Sequence, residues 1–373
     1  MMQTRTSDGP QALTAVVAAV IFVGACASAP PSPYGEAAPP PALGPDMVDQ
    51  RGRFREVYCT ILEQRGPSIP DYRPCEEALA RIGDEPPGTG RPVELGLSHR
   101  GLVAAIVPGV GWECFSIWLD LKGTTAAHIR QFGYDAAMIE VDALSSSMNN
   151  ARQIRDAIMA MEQTATEPSL VLIGYSKGTP DILEAVVSYP EIRGRIAAVV
   201  SVAGAVGGSP VAAEVTQSKL DLLRNWPGAD CSSGDGGALD SLRPESRRSW
   251  LAENPLPRGI PYYSLVTCPQ PDNISPVLKP SYKKLRGVDP RNDGMMLFDD
   301  QLIPGSIFLG CVNADHWAVS VPIARTHPNI AALFVDENDY PREALLEAVL
   351  RFIEEDLARA STGRDRAPSS GSP

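Results

Sequence analysis

Between residues 101 and 312, short aliphatic runs bounded by glycine, proline or polar residues alternate with stretches where apolar positions return every three or four residues. The runs predict strands over 101–107, 136–141, 170–173 and 196–202. The periodic stretches between them predict helices over 118–132, 149–161 and 181–188. Alternation of this kind predicts an α/β chain with a mostly parallel sheet covered by helices on both faces. From about residue 207 to 260 the alternation fails. That segment has helical apolar spacing at Val215, Leu220, Leu223 and Trp226, then at Leu242, Trp250 and Leu251, with a Gly-rich break over 233–237. A helical lid inserted after the fourth of these strands is the expectation. Strands resume over 262–267 and 306–312, and Leu345, Leu346, Val349, Leu350, Ile353 and Leu357 make a core-facing stripe on a C-terminal helix.

Upstream, Phe54, Val57, Ile61 and Leu62, then Ala78, Leu79 and Ile82, fit two short helical patterns. A Pro/Gly stretch over 85–90 separates them from the alternating region. The expected organisation is a leader over 1–25, a Pro/Ala-rich tether over 26–46, a helical N-terminal extension over 47–90, the main domain over 91–360 and a polar tail over 361–373.

The aliphatic run Leu170-Val171-Leu172-Ile173 stops at Gly174-Tyr175-Ser176-Lys177-Gly178, and a helical pattern follows at once. A serine hydroxyl is a poor nucleophile until it is exposed beside a base at a helix start. A G-x-S-x-G turn between strand and helix supplies that position, whereas the pentapeptide by itself is only a turn signal. A base must then follow late in the chain. The sequence has four histidines. His99 and His128 precede the serine, and His327 lies before Pro328 in an expected surface loop. His316, in Asn313-Ala314-Asp315-His316-Trp317, directly follows the last strand and is the candidate base. For the acid, Asp289, Asp293, Asp299, Asp300 and Asp315 are available. Asp315 adjoins His316, and neighbouring side chains in extended chain point apart. Asp293, in the turn Asn292-Asp293-Gly294, is preferred and Asp289 stands second. Two backbone N–H groups should face the developing oxyanion: Lys177, after the serine, and Val110, in the loop Val107-Pro108-Gly109-Val110-Gly111-Trp112. That loop matches no nucleotide-cradle spacing.

These residues resemble the α/β-hydrolases, and among them the bacterial triacylglycerol-lipase-like serine esterases. The likeness covers roughly residues 101–323. It is carried by Val107-Pro108-Gly109-Val110, Asn150-Ala151, residues 173–178, Ser201-Val202-Ala203-Gly204, Gly207-Gly208-Ser209-Pro210, Asn292-Asp293-Gly294 and Asp315-His316-Trp317. The resemblance implies an α/β-hydrolase fold with Ser176 as nucleophile, Asp293 as acid, His316 as base, Val110 and Lys177 as oxyanion donors, and no cofactor. Pro108-Gly109 stands where these lipases usually have His-Gly, and Thr179 where they have a glycine or small residue. No stretch matches the calcium site that some of them carry, and no metal is expected.

Composition narrows the setting. A hydrophobic content of 43% supports a sizeable core, and a formal charge of −12 without a Lys/Arg cluster argues against nucleic acid as a partner. Arg5 precedes an apolar run over 13–23 that ends in Val23-Gly24-Ala25-Cys26. This resembles a bacterial lipoprotein signal, which implies acylation of Cys26 and, with Ala27 following it, a place on the periplasmic side of the outer membrane. A plain secretory leader cleaved at Ala25-Cys26-Ala27 is the alternative. Export permits disulfides among the other six cysteines. Cys59 and Cys75 flank a Pro-rich loop and are the first expected bridge. Cys114 and Cys311 each lie near a strand end, which leaves Cys231 with Cys268 as a third guess; free thiols are the alternative for these four. Ester hydrolysis is therefore the main expectation. A thioesterase, an acyltransferase or a catalytically silent envelope binding protein of the same fold are the alternatives.

Overall fold

The computed structural model describes residues 43–112, 124–162, 168–214, 232, 234–326 and 339–365. The expectations at Cys26, Cys114, Cys231 and His327, and the apolar positions Val215, Leu220, Leu223 and Trp226 of the expected lid, lie outside these residues, as do most of the tether and the end of the tail.

The strands among the described residues are β1 (Val48–Asp49), β2 (Leu79–Ala80), β3 (Val103–Val107), β4 (Asp135–Met138), β5 (Leu170–Tyr175), β6 (Ile196–Val202), β7 (Tyr262–Thr267) and β8 (Ile307–Val312). They form one sheet of order β1-β8-β7-β6-β5-β3-β4, with β2 paired to β8 off this path. Every pairing is parallel except β2 with β8. The helices that matter below are α1 (Arg51–Arg65), α2 (Cys75–Ala78), α3 (Thr124–Arg130), α4 (Ser147–Ala160) and α5 (Gly178–Ser188). They are followed by α6 (Ala238–Leu242), α7 (Pro244–Glu253), α8 (Lys279–Leu285), α9 (Ile323–Thr326) and α10 (Arg342–Asp365).

Strand alternation explains why the sheet needs helices on both faces. In β5, Val171, Ile173 and Tyr175 join the core on one face with α1 and α10, while Leu170 and Leu172 join the core on the other with α4 and α5. All six β5 residues are buried. A strand buried at every position has no water-facing side.

The N-terminal extension differs from the expected pair of helices. Phe54, Val57, Tyr58, Ile61 and Leu62 do line the buried face of α1. Ala78, Leu79 and Ile82, however, do not share a helix. After the single turn α2, Leu79 goes extended (φ −116°, ψ 117°), and Leu79 and Ala80 pair with Val312 and Cys311. With only four residues, α2 gains too few internal bonds to persist, and the open edge of β8 offers the backbone a better set. β1 adds to the same strand through Val48 and Asp49. The extension thus completes the sheet.

Cys59 and Cys75 form the expected disulfide, with Cα atoms 5.1 Å apart. Cys268 bonds Cys311, not Cys231, across a Cα separation of 5.8 Å. The reason is register: Val266 lies beside Cys311 in the parallel pair β7–β8, so Cys268, just past the end of β7, faces it. Neighbouring strands far apart in sequence are invisible to a reading of spacing alone.

Candidate active site

The parallel strands end at one edge of the sheet, and the expected site residues sit on the loops that follow β3, β5, β7 and β8. β5 leads into Ser176, whose φ of 53° lies in the left-handed region. For a residue with a Cβ this costs about 1–3 kcal/mol and persists only where the surroundings hold it. Here they do. The Ser176 N–H donates to Val202 O (3.3 Å), while its carbonyl accepts from Thr179 N (3.2 Å) and Ala205 N (3.0 Å). Ala203, with φ 48°, makes the turn at the end of β6 that brings Ala205 into reach. The flanking glycines are required by close approach. A Cβ on Gly174 would lie 2.5 Å from Thr179 Cα, and one on Gly178 would strike the Val107 carbonyl. Thr179, where a smaller residue was the family habit, uses its hydroxyl to close the elbow on Gly174 O (2.8 Å).

His316 follows β8 and brings its Nε2 to 2.9 Å from Ser176 Oγ and its Nδ1 to 2.7 Å from Asp293 Oδ2. A carboxylate only accepts, so Nδ1 carries the hydrogen and Nε2 offers its lone pair to the serine hydroxyl. All three residues are buried, Asp293 completely. Asp293 accepts from Met295 N (2.9 Å) and Met296 N (2.7 Å) at Oδ1, and from the Thr267 hydroxyl (2.6 Å) at Oδ2. Four donors thus compensate a fully buried carboxylate. The histidine is fixed through its backbone as well: its N–H donates to Asp293 O (3.1 Å) and its carbonyl accepts from the Tyr175 hydroxyl (2.5 Å). Burial pushes the Tyr175 phenol well above its usual range, helped by the nearby Asp293 and Asp315 charges, so it stays a donor.

The other acids have different work. Asp289 pairs with Arg291 (2.6 Å). Asp315 caps the turn after β8, accepting from Trp317 N (3.0 Å), Ala318 N (2.8 Å) and Ser275 N (2.8 Å). Neither is hydrogen-bonded to His316. Among the earlier histidines, His128 is tied to Glu347 (2.7 Å), away from the serine.

The loop after β3 folds over the serine. Trp112 N donates to Gly109 O (3.4 Å), and Gly111 has φ 76°, the positive value that the third position of a type II turn needs. Gly109 lies directly against Ser176, since a Cβ there would sit 2.9 Å from Ser176 Cβ. Among the described residues, no backbone hydrogen bond uses the N–H of Val110 or Lys177. Val110 packs against two apolar clusters, Ala205, Ala212, Leu242 and Met296 on one side and Leu144 and Leu239 on the other.

The Lys177 side chain is buried beside its own helix: it is 1% exposed, and its Nζ lies 2.8 Å and 2.9 Å from the two carboxylate oxygens of Asp181. The i,i+4 spacing of a lysine and an aspartate on one helix was the available signal. Thr267 and the Gln301 that braces it (Thr267 N to Gln301 Oε1, 2.8 Å; Gln301 Nε2 to Thr267 O, 3.1 Å) carried no signal at all, because only the fold brings them to Asp293.

No family model and no curated protein sequence matches the chain. Among solved structures, a metagenomic carboxyl esterase superposes with a TM-score of 0.79 at 38% sequence identity, covering 87% of this chain and 98% of its own. The lipase of Staphylococcus hyicus, at 12% identity with a TM-score of 0.51 over 73% of this chain and 100% of its own, shares the fold. With a mostly parallel sheet, a serine on a strained strand-to-helix turn and this level of identity over nearly its whole length, the chain belongs to the carboxyl esterases of the α/β-hydrolase fold and is a carboxylic ester hydrolase.

Proposed function

We propose that ester cleavage runs through Ser176, His316 and Asp293 with an acyl-enzyme intermediate. The observation that supports this is the unbroken hydrogen-bond chain from Asp293 through His316 to Ser176. His316 Nε2 takes the serine proton as Oγ attacks the ester carbonyl, and the resulting oxyanion accepts from the Val110 and Lys177 N–H groups. The C–O bond to the alcohol breaks as His316 returns the proton to the leaving oxygen. Water, deprotonated by the same nitrogen, then attacks the acyl-enzyme and releases the acid. Asp293 holds the imidazole in the right tautomer and stabilises the imidazolium formed in each half-reaction.

The apolar residues packed around Val110 favour an ester with an apolar acyl group. The segment 207–260 is the proposed lid, and acylation at Cys26 would hold the enzyme at the periplasmic face of the outer membrane, beside lipid esters. Ser176→Ala is expected to abolish both p-nitrophenyl ester turnover and fluorophosphonate labelling. A folded variant that retains either would overturn the assignment. Esters of graded chain length, with a competing alcohol added, separate hydrolysis from acyl transfer. Mass spectrometry of the mature N-terminus tests the anchor: a chain starting at unmodified Ser28 would exclude it.

A further inference from the structure

Lys177 is bound to Asp181 twice, by its side chain and by its carbonyl, which accepts from Asp181 N at 3.2 Å. Asp181 is 1% exposed and also accepts from Asn150 Nδ2 (2.8 Å), a donor on α4 that reaches Asp142 O as well (3.1 Å). A buried lysine–aspartate pair is a poor stabiliser. Desolvating two charges largely cancels their attraction, and well-packed apolar residues of similar volume usually do as well or better. Stability therefore does not account for the pair, but its location does. It sits on the residue directly after Ser176, next to a backbone position already under strain, and it clamps residue 177 at φ −59°, ψ −26° with its N–H unused among the described residues.

We propose that Lys177, Asp181 and Asn150 form a positioning network that aims the Lys177 N–H at the oxyanion. Asp181 is the hub, fixing residue 177 from the first turn of α5, and Asn150 locks the hub to α4. None of the three side chains touches the reacting atoms in this scheme. The network acts on the transition state, where the oxyanion exists, and not on the ground-state ester. This rests on the reading of Ser176 as nucleophile and Lys177 N–H as oxyanion donor.

The test is the double variant Lys177→Met/Asp181→Leu, which removes both members of the ion pair together and lets Asn150 keep its bond to Asp142 O. It is compared with wild type and Ser176→Ala in p-nitrophenyl butyrate hydrolysis and in inhibition by an alkyl boronic acid, which adds to the serine and presents an oxygen to the same N–H groups. The thermal midpoint should stay near that of wild type. Losing one oxyanion donor outright costs about 100- to 1000-fold in kcat, so a donor that is kept but misaimed should cost less, about 10- to 100-fold, with KM nearly unchanged and boronic acid affinity falling in parallel. A double variant with wild-type kcat and boronic acid affinity overturns the proposal, as does a loss expressed only as a higher KM. Should the double variant not fold, Asp181→Asn, which keeps an oxygen for Nζ, is expected to lose kcat at constant KM, and wild-type kcat there overturns the proposal equally. The Ser176→Ala arm separates the two readings. If that variant remains active, the triad assignment fails; if it is dead while the double variant is unimpaired, only the positioning network fails.

Discussion

At the residue scale, Thr267 is the side chain whose contribution is easiest to isolate. Its hydroxyl donates to Asp293 Oδ2, the same oxygen that receives the His316 Nδ1–H, while Gln301 Oε1 remains satisfied by the Thr267 backbone N–H. Thr267→Val removes one hydroxyl with little change of shape. Asp293 then keeps three of its four donors and is held less firmly against the imidazole. On the proposed role of Asp293, loss of one hydrogen bond to a charged group predicts a fall in kcat of about tenfold with KM nearly unchanged. A folded variant with wild-type kcat would show the Thr267 contact to be incidental. The meeting of Ser176, His316 and Asp293 could be read from order along the chain, because in a fold of this kind the loops after the strands gather at one end of the sheet. Thr267 could not, since a threonine ending a buried strand looks the same whether or not a carboxylate from a loop 26 positions later folds onto it.

At the scale of elements, one buried carboxylate of α10 ties that helix to both α1 and α3. Glu347 is fully buried and accepts from Arg65 of α1 (2.6 Å), His128 of α3 (2.7 Å) and Arg351 of α10 itself (2.8 Å). Burial opposes its ionisation, yet the hydrogen bonds from His128, Arg65 and Arg351 override this and hold the carboxyl down at about 2, against an ordinary 4.5. A folded-state value below the unfolded one stabilises the protein above the unfolded pKa, and the contribution is lost as pH falls from about 4.5 toward 2. Glu347→Gln should therefore cost about 2–3 kcal/mol at pH 7, with a smaller difference at pH 3. Urea unfolding at the two pH values measures it, and a pH-independent difference would refute the charge argument. The 3.6-residue stripe on α10 was legible, but the stripe identifies only which face is buried. Arg351 lies one helical turn on, but the other two partners of Glu347, His128 and Arg65, lie more than two hundred positions away, and no local pattern encodes them.

At the scale of the whole molecule, the N-terminal extension is part of the fold through β1, β2 and α1, and the Cys59–Cys75 bridge closes it. Replacing both cysteines by serine frees a loop of sequence separation 16, and the chain-entropy cost predicts a loss of about 3 kcal/mol, read by chemical denaturation under non-reducing conditions. An unchanged midpoint would mean that sheet pairing alone holds the extension. Apolar periodicity determined the parallel sheet and the helices on its faces, because burial on both sides demands continuous aliphatic strands and 3.6-residue stripes, and these are local properties. Strand order placed Ser176, Asp293 and His316 at one edge for the same reason. The antiparallel strand at Leu79–Ala80, the Cys268–Cys311 pairing, the support of Asp293 by Thr267 and the burial of Lys177 on Asp181 were decided by tertiary structure. The first three depend on register and edge pairing between segments that meet only after the sheet has formed; for Lys177 and Asp181 the i,i+4 spacing is local, but the loss of solvent around the pair comes only from the packed fold.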